Sequence, residues 1–172
     1  SDFVKPCGTD YVGAFAVTAG RGIEEIISRY QQTDDFKALL YQSLSDRLAE
    51  AATELLHARV RRDIWEYAPD ERIDCQRALR AQYRGIRPAA GYPSLPDQSA
   101  IFAIEKIVGF ANVGIAVTPN GAMSPASSVS GLMIAHPASR YFMIGAIAPD
   151  QRRDYAARRG ITEEELSKWL PK

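Results

Sequence analysis

The chain has 172 residues, is 46% hydrophobic and 24% charged, and balances 21 Lys plus Arg against 21 Asp plus Glu. That is enough apolar material for one ordinary globular core. A formal net charge of zero argues against a nucleic-acid binder, which shows a basic excess or stripe.

Two cysteines (Cys7, Cys75) and two histidines (His57, His136) stand at no metal-ligand spacing, so no metal site is expected. Sparse cysteine suits a reducing compartment, and a cytoplasmic location is the expectation. No apolar run reaches the ~18 residues of a membrane span, and no signal peptide is visible. The chain starts at Ser1 rather than Met, so it is expected to begin inside a longer product or after processing.

In chain order, Tyr11 to Thr18 alternates small and apolar residues and reads as a buried strand closed by Ala19-Gly20. Ile23, Ile26, Ile27 and Tyr30 fall at helical spacing within 22–30. Thr33 or Asp34 can cap a helix running to about Tyr67, with no Gly or Pro inside it. Its apolar positions are Phe36, Leu39, Leu40, Leu44, Leu48, Ala51, Leu55, Leu56, Val60 and Ile64, and they trace one face, the expected core side. Pro69 ends it, because the residue before a proline avoids helical geometry. At ~1.5 Å per residue such a helix is roughly 50 Å long and spans the molecule. Arg59, Arg61 and Arg62 read as a solvated face of it.

A shorter helix is expected over 74–83. Residues 84–96 contain Gly85, Pro88, Gly91, Pro93 and Pro96, a density of breakers that excludes helix and central strand. A helix capped by Asp97 or Ser99 follows, to about Val108. Strands are expected over 113–117, 129–135 and 141–147, the last two as an antiparallel hairpin across His136-Pro137-Ala138-Ser139. Helices over 150–159 and 162–170 close the chain, with Thr162 and Glu165 forming a capping box. The order implies an α+β fold: an antiparallel sheet with a long central helix and flanking helices.

Chemistry is best placed at residues 84–96. Prolines stiffen the loop, and glycines let a ligand approach its backbone closely. Arg87 can grip a carboxylate with two parallel N–H bonds. Tyr92 offers a flat apolar face with a polar tip. The alternative is a structural turn whose Arg87 pairs with a local Asp. Ser127, Ser128 and Ser130 have no nearby His–Asp pair, so a hydrolase triad is not indicated. His136 reads as a turn residue, His57 as helix surface or packing, and Asp97 with Gln98 as helix capping.

The run Tyr83-Arg84-Gly85-Ile86-Arg87-Pro88-Ala89-Ala90-Gly91-Tyr92-Pro93 resembles the Arg-x-x-x-Gly-Tyr signature of the activation domain of cobalamin-dependent methionine synthase. Other blocks resemble it in order: 10–18, 46–51, His57 to Arg61, Trp65 to Pro69, Ser128 to Gly131, and His136 to Tyr141. The resemblance covers nearly the whole chain, 1–172, read as a single domain and as the second half of the family's activation domain. That domain's first half supplies an aspartate near the ligand's sulfonium.

The resemblance implies S-adenosylmethionine binding, and presentation of its methyl group for reductive methylation of cob(II)alamin held mainly by another domain. It makes the chain part of a methyltransferase, inactive by itself if the rest is absent. Arg87 would hold the methionine carboxylate, the backbone of Ala89 would bond the ligand, and Gly91 would admit it. Tyr92 would lie at the mouth, where the corrin arrives. Tyr141 and Phe142 would line the nucleoside side, Phe142 standing where the family usually has a second tyrosine. Glu50 would sit near the cationic sulfonium; its plain alternative is a solvated helical acid. No residue is expected to act as a general acid or base. The implied partners are the cobalamin-binding domain or remaining part of methionine synthase and a flavodoxin-like electron donor, with no nucleic acid and no membrane. A different class of reading is a non-catalytic docking or adaptor module for a corrinoid protein or such a redox partner.

Overall fold

Strand β1, Gly13–Thr18, pairs antiparallel with strand β4, Ser128–Met133, in a register running from Gly13 opposite Met133 to Thr18 opposite Ser128. The computed structural model describes residues 3–171. Between these strands the chain forms α1 (Ile23–Gln31), α2 (Asp35–Arg59), a π-helical turn (Val60–Ile64), α3 (Cys75–Leu79) and α4 (Ala100–Val108). A small hairpin of β2 (Ala116–Val117) and β3 (Met123–Ser124) follows α4. After β4 come α5 (Pro149–Arg159) and α6 (Glu163–Leu166). The architecture is α+β, with small antiparallel sheets and one long helix, as the element order implies.

Asp34 caps α2 by accepting from the Lys37 N–H at 3.1 Å, and Thr162 caps α6 by accepting from Glu165 N–H. α2 ends sooner than the sequence suggests, because the π turn at Val60–Ile64 closes it before Pro69 is reached. α3 is confined to five residues by its cap at Asp74 and the left-handed Ala81.

The leucine face of α2 is not its buried face. Phe36, Leu39, Leu40, Leu44, Leu48, Leu55 and Ile64 are exposed, while Ala38, Ser45, Ala49, Thr53 and His57 are buried. From Ser45 onward these buried positions recur every four residues and continue to the buried Arg61, so they form one ridge of the helix surface. Small side chains on that ridge let α2 approach the sheet closely. The Ser45 hydroxyl donates to the Ala19 carbonyl at 2.9 Å, and the Ser127 hydroxyl donates to Asp46 at 2.6 Å. Arg61 is likewise no solvated charge; it is buried and paired with Glu71. These placements predict opposite outcomes for neighbouring substitutions. Leu48 is 53% exposed, so Leu48→Gln in this chain changes unfolding free energy by less than about 0.5 kcal/mol. Ala49 is 1% exposed, so Ala49→Leu overpacks the ridge and costs about 1–3 kcal/mol, as urea denaturation will read.

Residues 141–147 form no strand, and the expected hairpin with β4 is absent. The reason is that both edges of β4 are taken. β1 holds one. The loop 84–96 holds the other: Ile86 and Ile134 exchange backbone bonds of 3.0 and 2.9 Å, and Leu132 N–H donates to the Pro88 carbonyl at 2.9 Å. Gly131 permits this docking, since a Cβ there would meet the Pro88 carbonyl oxygen at 2.4 Å. Residues 141–147 are left to cross in front of that loop.

The main core is Ile101, Ile104, Phe110 and Ile115, packed under Ala14, Ala16 and Leu132 of the sheet. A second, smaller cluster of Ala156, Leu166 and Leu170 joins α5 to α6.

Candidate ligand-binding site

A cavity of about 420 Å³ opens where the loop 84–96, α2 and the segment 141–143 meet, a volume suited to a small-molecule ligand. Arg87, Ala89 and Tyr92 enter it from the loop, Glu50 from α2, and Tyr141, Phe142 and Met143 from the crossing segment. Phe15 and Val129 supply an apolar floor from the paired strands. Six of the seven residues singled out from the sequence, Arg87, Ala89, Tyr92, Glu50, Tyr141 and Phe142, are therefore brought to one cavity. Gly91 is not among its walls. Its left-handed backbone (φ 84°) turns the loop against Gln98, whose Oε1 would lie 2.1 Å from a Cβ at that position.

The loop is tied down at Arg84, Arg87 and Ser94. Arg84 donates to the Tyr67 carbonyl at 2.7 Å, and its backbone N–H donates to Glu71 at 3.0 Å. The Arg87 N–H donates to the Tyr141 hydroxyl at 2.9 Å, which holds the crossing segment over the cavity. Phe142 N–H donates to the Ser94 hydroxyl at 3.4 Å. Tyr92, 67% exposed, presents its ring at the rim.

Arg87 does not pair with a local Asp. Its NH1 donates to the Tyr83 hydroxyl at 2.7 Å and to His57 Nδ1 at 3.1 Å, and lies 2.6 Å from Glu54 Oε1. Burial works against its charge, but the phenols of Tyr83 and Tyr141 and the Glu54 carboxylate more than offset that, holding the guanidinium above its usual value. Its Nε and NH2 make no hydrogen bond among the described residues, and they belong to a side chain that lines the cavity. Burial pushes the Tyr67 hydroxyl up to about 12 and Tyr83 higher still, so both are protonated across physiological pH.

His57 is fully buried, not a helix-surface residue. Burial, with the nearby charges of Arg61 and Arg87, lowers its pKa to about 3. Arginine has no acceptor atom, so Nδ1 must accept and the ring proton must sit on Nε2, 3.2 Å from the Tyr67 hydroxyl. The unfolded chain takes a proton on this ring below about pH 6.5, while the folded chain resists until about pH 3, so stability is present above 6.5 and is lost as pH falls between those values. From pH 7 to 5 this group alone removes about 2 kcal/mol. Urea midpoints measured across that range should fall less in His57→Asn, whose side chain does not titrate.

Glu54, His57 and Tyr83 were not singled out as site residues from the sequence. The signal for Glu54 and His57 was the spacing Glu50, Glu54, His57 along one helix, four and three residues apart, which places those three on one stripe; Tyr83 stands four residues before Arg87.

Compared with known proteins, residues 1–160 match the family model of the vitamin B12-dependent methionine synthase activation domain. The chain belongs to that family. Among solved structures this activation domain is similar to a MetH reactivation domain bound to AdoHcy, with 40% identity and a TM-score of 0.89. The match covers 93% of this chain and 50% of the other, so the activation-domain sequence described here spans about half the length of that relative. At that identity the shared family accounts for the agreement in fold, including the long α2 and the small antiparallel sheets.

Proposed function

We propose that this activation-domain chain binds S-adenosylmethionine in the cavity between α2 and the loop 84–96, and offers its methyl group to a cobalamin held by another part of methionine synthase. The observation that supports it best is the convergence, in one cavity, of an oriented guanidinium, a carboxylate and exposed aromatic faces. A solved family member carries AdoHcy, the demethylated form of that ligand.

Each wall suits one portion of the ligand. The free edge of Arg87 matches the amino-acid carboxylate, which takes two parallel N–H bonds. The Ala89 N–H, which has no partner among the described residues, is available to a ligand acceptor, while its carbonyl accepts from the Tyr92 N–H at 3.3 Å. Glu50 places a negative charge where a sulfonium gains from it. Tyr141, Phe142 and Met143 give apolar and polarizable surface for a nucleoside. Phe142 brings no hydroxyl, so Tyr141 alone carries a phenol on that side. Tyr92, at the rim, is free to meet a flat macrocycle. Gly91 acts on the ligand only through the loop shape it sets.

The chain supplies binding and alignment. Methyl transfer to cobalt abstracts no proton, and the buried His57 and Tyr83 are held in single protonation states. Cobalamin, when docked, supplies the reduced metal that accepts the methyl group. Aligning two reactants contributes up to about 7–11 kcal/mol to a barrier, and a closed interface at the Tyr92 rim would exclude water from the reaction. The electron donor belongs to the same proposal and is flavodoxin-like.

The leucine face of α2 fits the half-length match. We assign it to contact with the remainder of the activation domain, since the matched relative is about twice as long and the exposed leucines form one apolar face. In a chain joined to that remainder, Leu48→Gln becomes costly, whereas in this chain it does not.

Calorimetric titration with S-adenosylmethionine tests the function directly. Binding in the micromolar range with a competing site for AdoHcy supports it. No heat at millimolar ligand overturns it and leaves the docking-module reading.

A further inference from the structure

We propose that His57, together with Tyr83, is a positioning residue: by taking both NH1 protons of Arg87 it leaves Nε and NH2 as a preset two-bond grip for an amino-acid carboxylate. The inference rests on the reading that Arg87 receives the ligand carboxylate, and it names the device that makes such a grip selective.

A guanidinium carries five N–H donors in a planar fork, and a carboxylate uses two of them on one edge. Which edge is offered depends on what holds the others. Here NH1 has two protons and two acceptors, His57 Nδ1 at 3.1 Å and the Tyr83 hydroxyl at 2.7 Å. Glu54 Oε1, 2.6 Å from NH1, adds charge without an aligned N–H. The acceptors are themselves immobile. His57 is fully buried, its Nε2 faces the Tyr67 hydroxyl at 3.2 Å, and its ring meets Tyr83 edge to face at 5.0 Å between centroids. Tyr83 is packed in turn by the Arg61 guanidinium, 4.4 Å from its ring centre, and Arg61 is anchored by Glu71. α2 and the loop are thereby locked to each other at the root of Arg87. A long flexible side chain loses much rotamer freedom when it binds; here that loss is taken on folding, before any ligand arrives.

The neutral imidazole matters for a second reason. A protonated His57 would turn Nδ1 into a donor and set two cations against each other. A carbonyl oxygen in the place of Nδ1 would serve as well as the ring nitrogen. This gives two variants of equal polarity and different reach. The shorter His57→Asn can place its amide oxygen near the Nδ1 position, while His57→Gln extends toward the Nε2 position and Tyr67.

The experiment measures dissociation constants of the wild-type chain, His57→Asn and His57→Gln for S-adenosylmethionine and for its analogue lacking the carboxylate. Thermal melts establish that each variant is folded. The wild type should prefer the carboxylate-bearing ligand by about tenfold or more. His57→Asn should keep that preference within about threefold, and His57→Gln should lose most of it while binding the carboxylate-free analogue as the wild type does. Equal preference in wild type and His57→Gln would overturn the positioning role and leave the carboxylate reading standing. A wild type with no preference would overturn the carboxylate reading itself. If neither histidine variant folds, Tyr83→Phe decides. It removes one NH1 acceptor and keeps the ring packing, so a preference that shrinks supports the proposal and an unchanged one overturns it.

Discussion

Arg87→Ala raises the dissociation constant for S-adenosylmethionine by at least tenfold, and by more than a hundredfold if both bonds of the grip form. Hydrogen bonds to a charged group contribute about 1.5–3 kcal/mol each, and a tenfold change in affinity is about 1.4 kcal/mol. The effect reaches past the lost bonds, because among the described residues the substitution removes the one donor to the buried His57 Nδ1 and the charge that faces Glu54 Oε1. A buried acceptor left without a donor costs about 1–3 kcal/mol. Stability therefore falls with affinity, and the two must be measured separately, by urea denaturation and by calorimetry. Arg87→Lys keeps the charge but presents a single ammonium. It cannot reach Tyr83, His57 and Glu54 while also offering two parallel donors to a ligand. Its affinity should lie near that of Arg87→Ala, although its stability should lie nearer the wild type. Unchanged affinity in Arg87→Ala would remove this residue from the site.

The loop and its stiffening prolines were legible in the sequence, and what holds Arg87 within it was not. Gly85, Pro88, Gly91, Pro93 and Pro96 exclude helix and central strand by local geometry alone, and Arg87 and Tyr92 stand out within such a segment. Family blocks spread in order along the chain then brought Glu50, Tyr141 and Phe142 into the same site. What fixes Arg87 comes from α2, about 30 residues earlier, through contacts no local pattern encodes. Hydrophobic periodicity found the period of α2 but chose the wrong face. It ranks Leu44 and Leu48 above Ser45, Ala49 and Thr53, yet a close helix-to-sheet approach needs the small side chains. The segment 141–147 has the composition of a strand and no edge to join, since Ile86 and Pro88 already occupy that side of β4. Strand pairing is decided by competition for edges, and that competition spans more than 100 residues of sequence, from Gly13 to Met133.

Asp97 carries the second large effect. The sequence offers it as a helix cap, but it is 1% exposed and accepts four donors. Its Oδ1 takes the Ser99 N–H at 2.8 Å and the Ser99 hydroxyl at 2.6 Å, while Oδ2 takes the Tyr155 hydroxyl at 2.7 Å and the Arg159 guanidinium. Arg159 also donates to the Ser99 hydroxyl, and the Gln98 N–H donates to the Trp169 carbonyl. This hub joins α5 and α6 to the start of α4. Among the described residues the apolar cluster there is small, with Ala156, Leu166 and Leu170 buried and Ile147, Tyr155 and Ile161 partly buried around them, so the polar hub contributes much of the attachment. Asp97→Ala takes the carboxylate away from a partly exposed cation and a partly buried phenol, leaving Arg159 only the Tyr155 and Ser99 hydroxyls. Removing one member of a buried pair costs about 3–5 kcal/mol, and the partial exposure of Arg159 brings the expected loss to roughly 3 kcal/mol. For a chain of this size that lowers the melting temperature by roughly 6–12 °C. Tyr155→Phe removes one bond of four and should cost about 1 kcal/mol. Asp97 is joined through Leu95 and Pro96 to Pro93 and Ser94, which line the cavity, so ligand affinity should weaken as the hub opens. Hydrogen exchange locates the damage: amides of residues 150–170 lose protection first if the hub is the clasp. Uniform loss across β1, β4 and α2 would instead make Asp97 a determinant of the main core and would sever it from the α5–α6 attachment argued here.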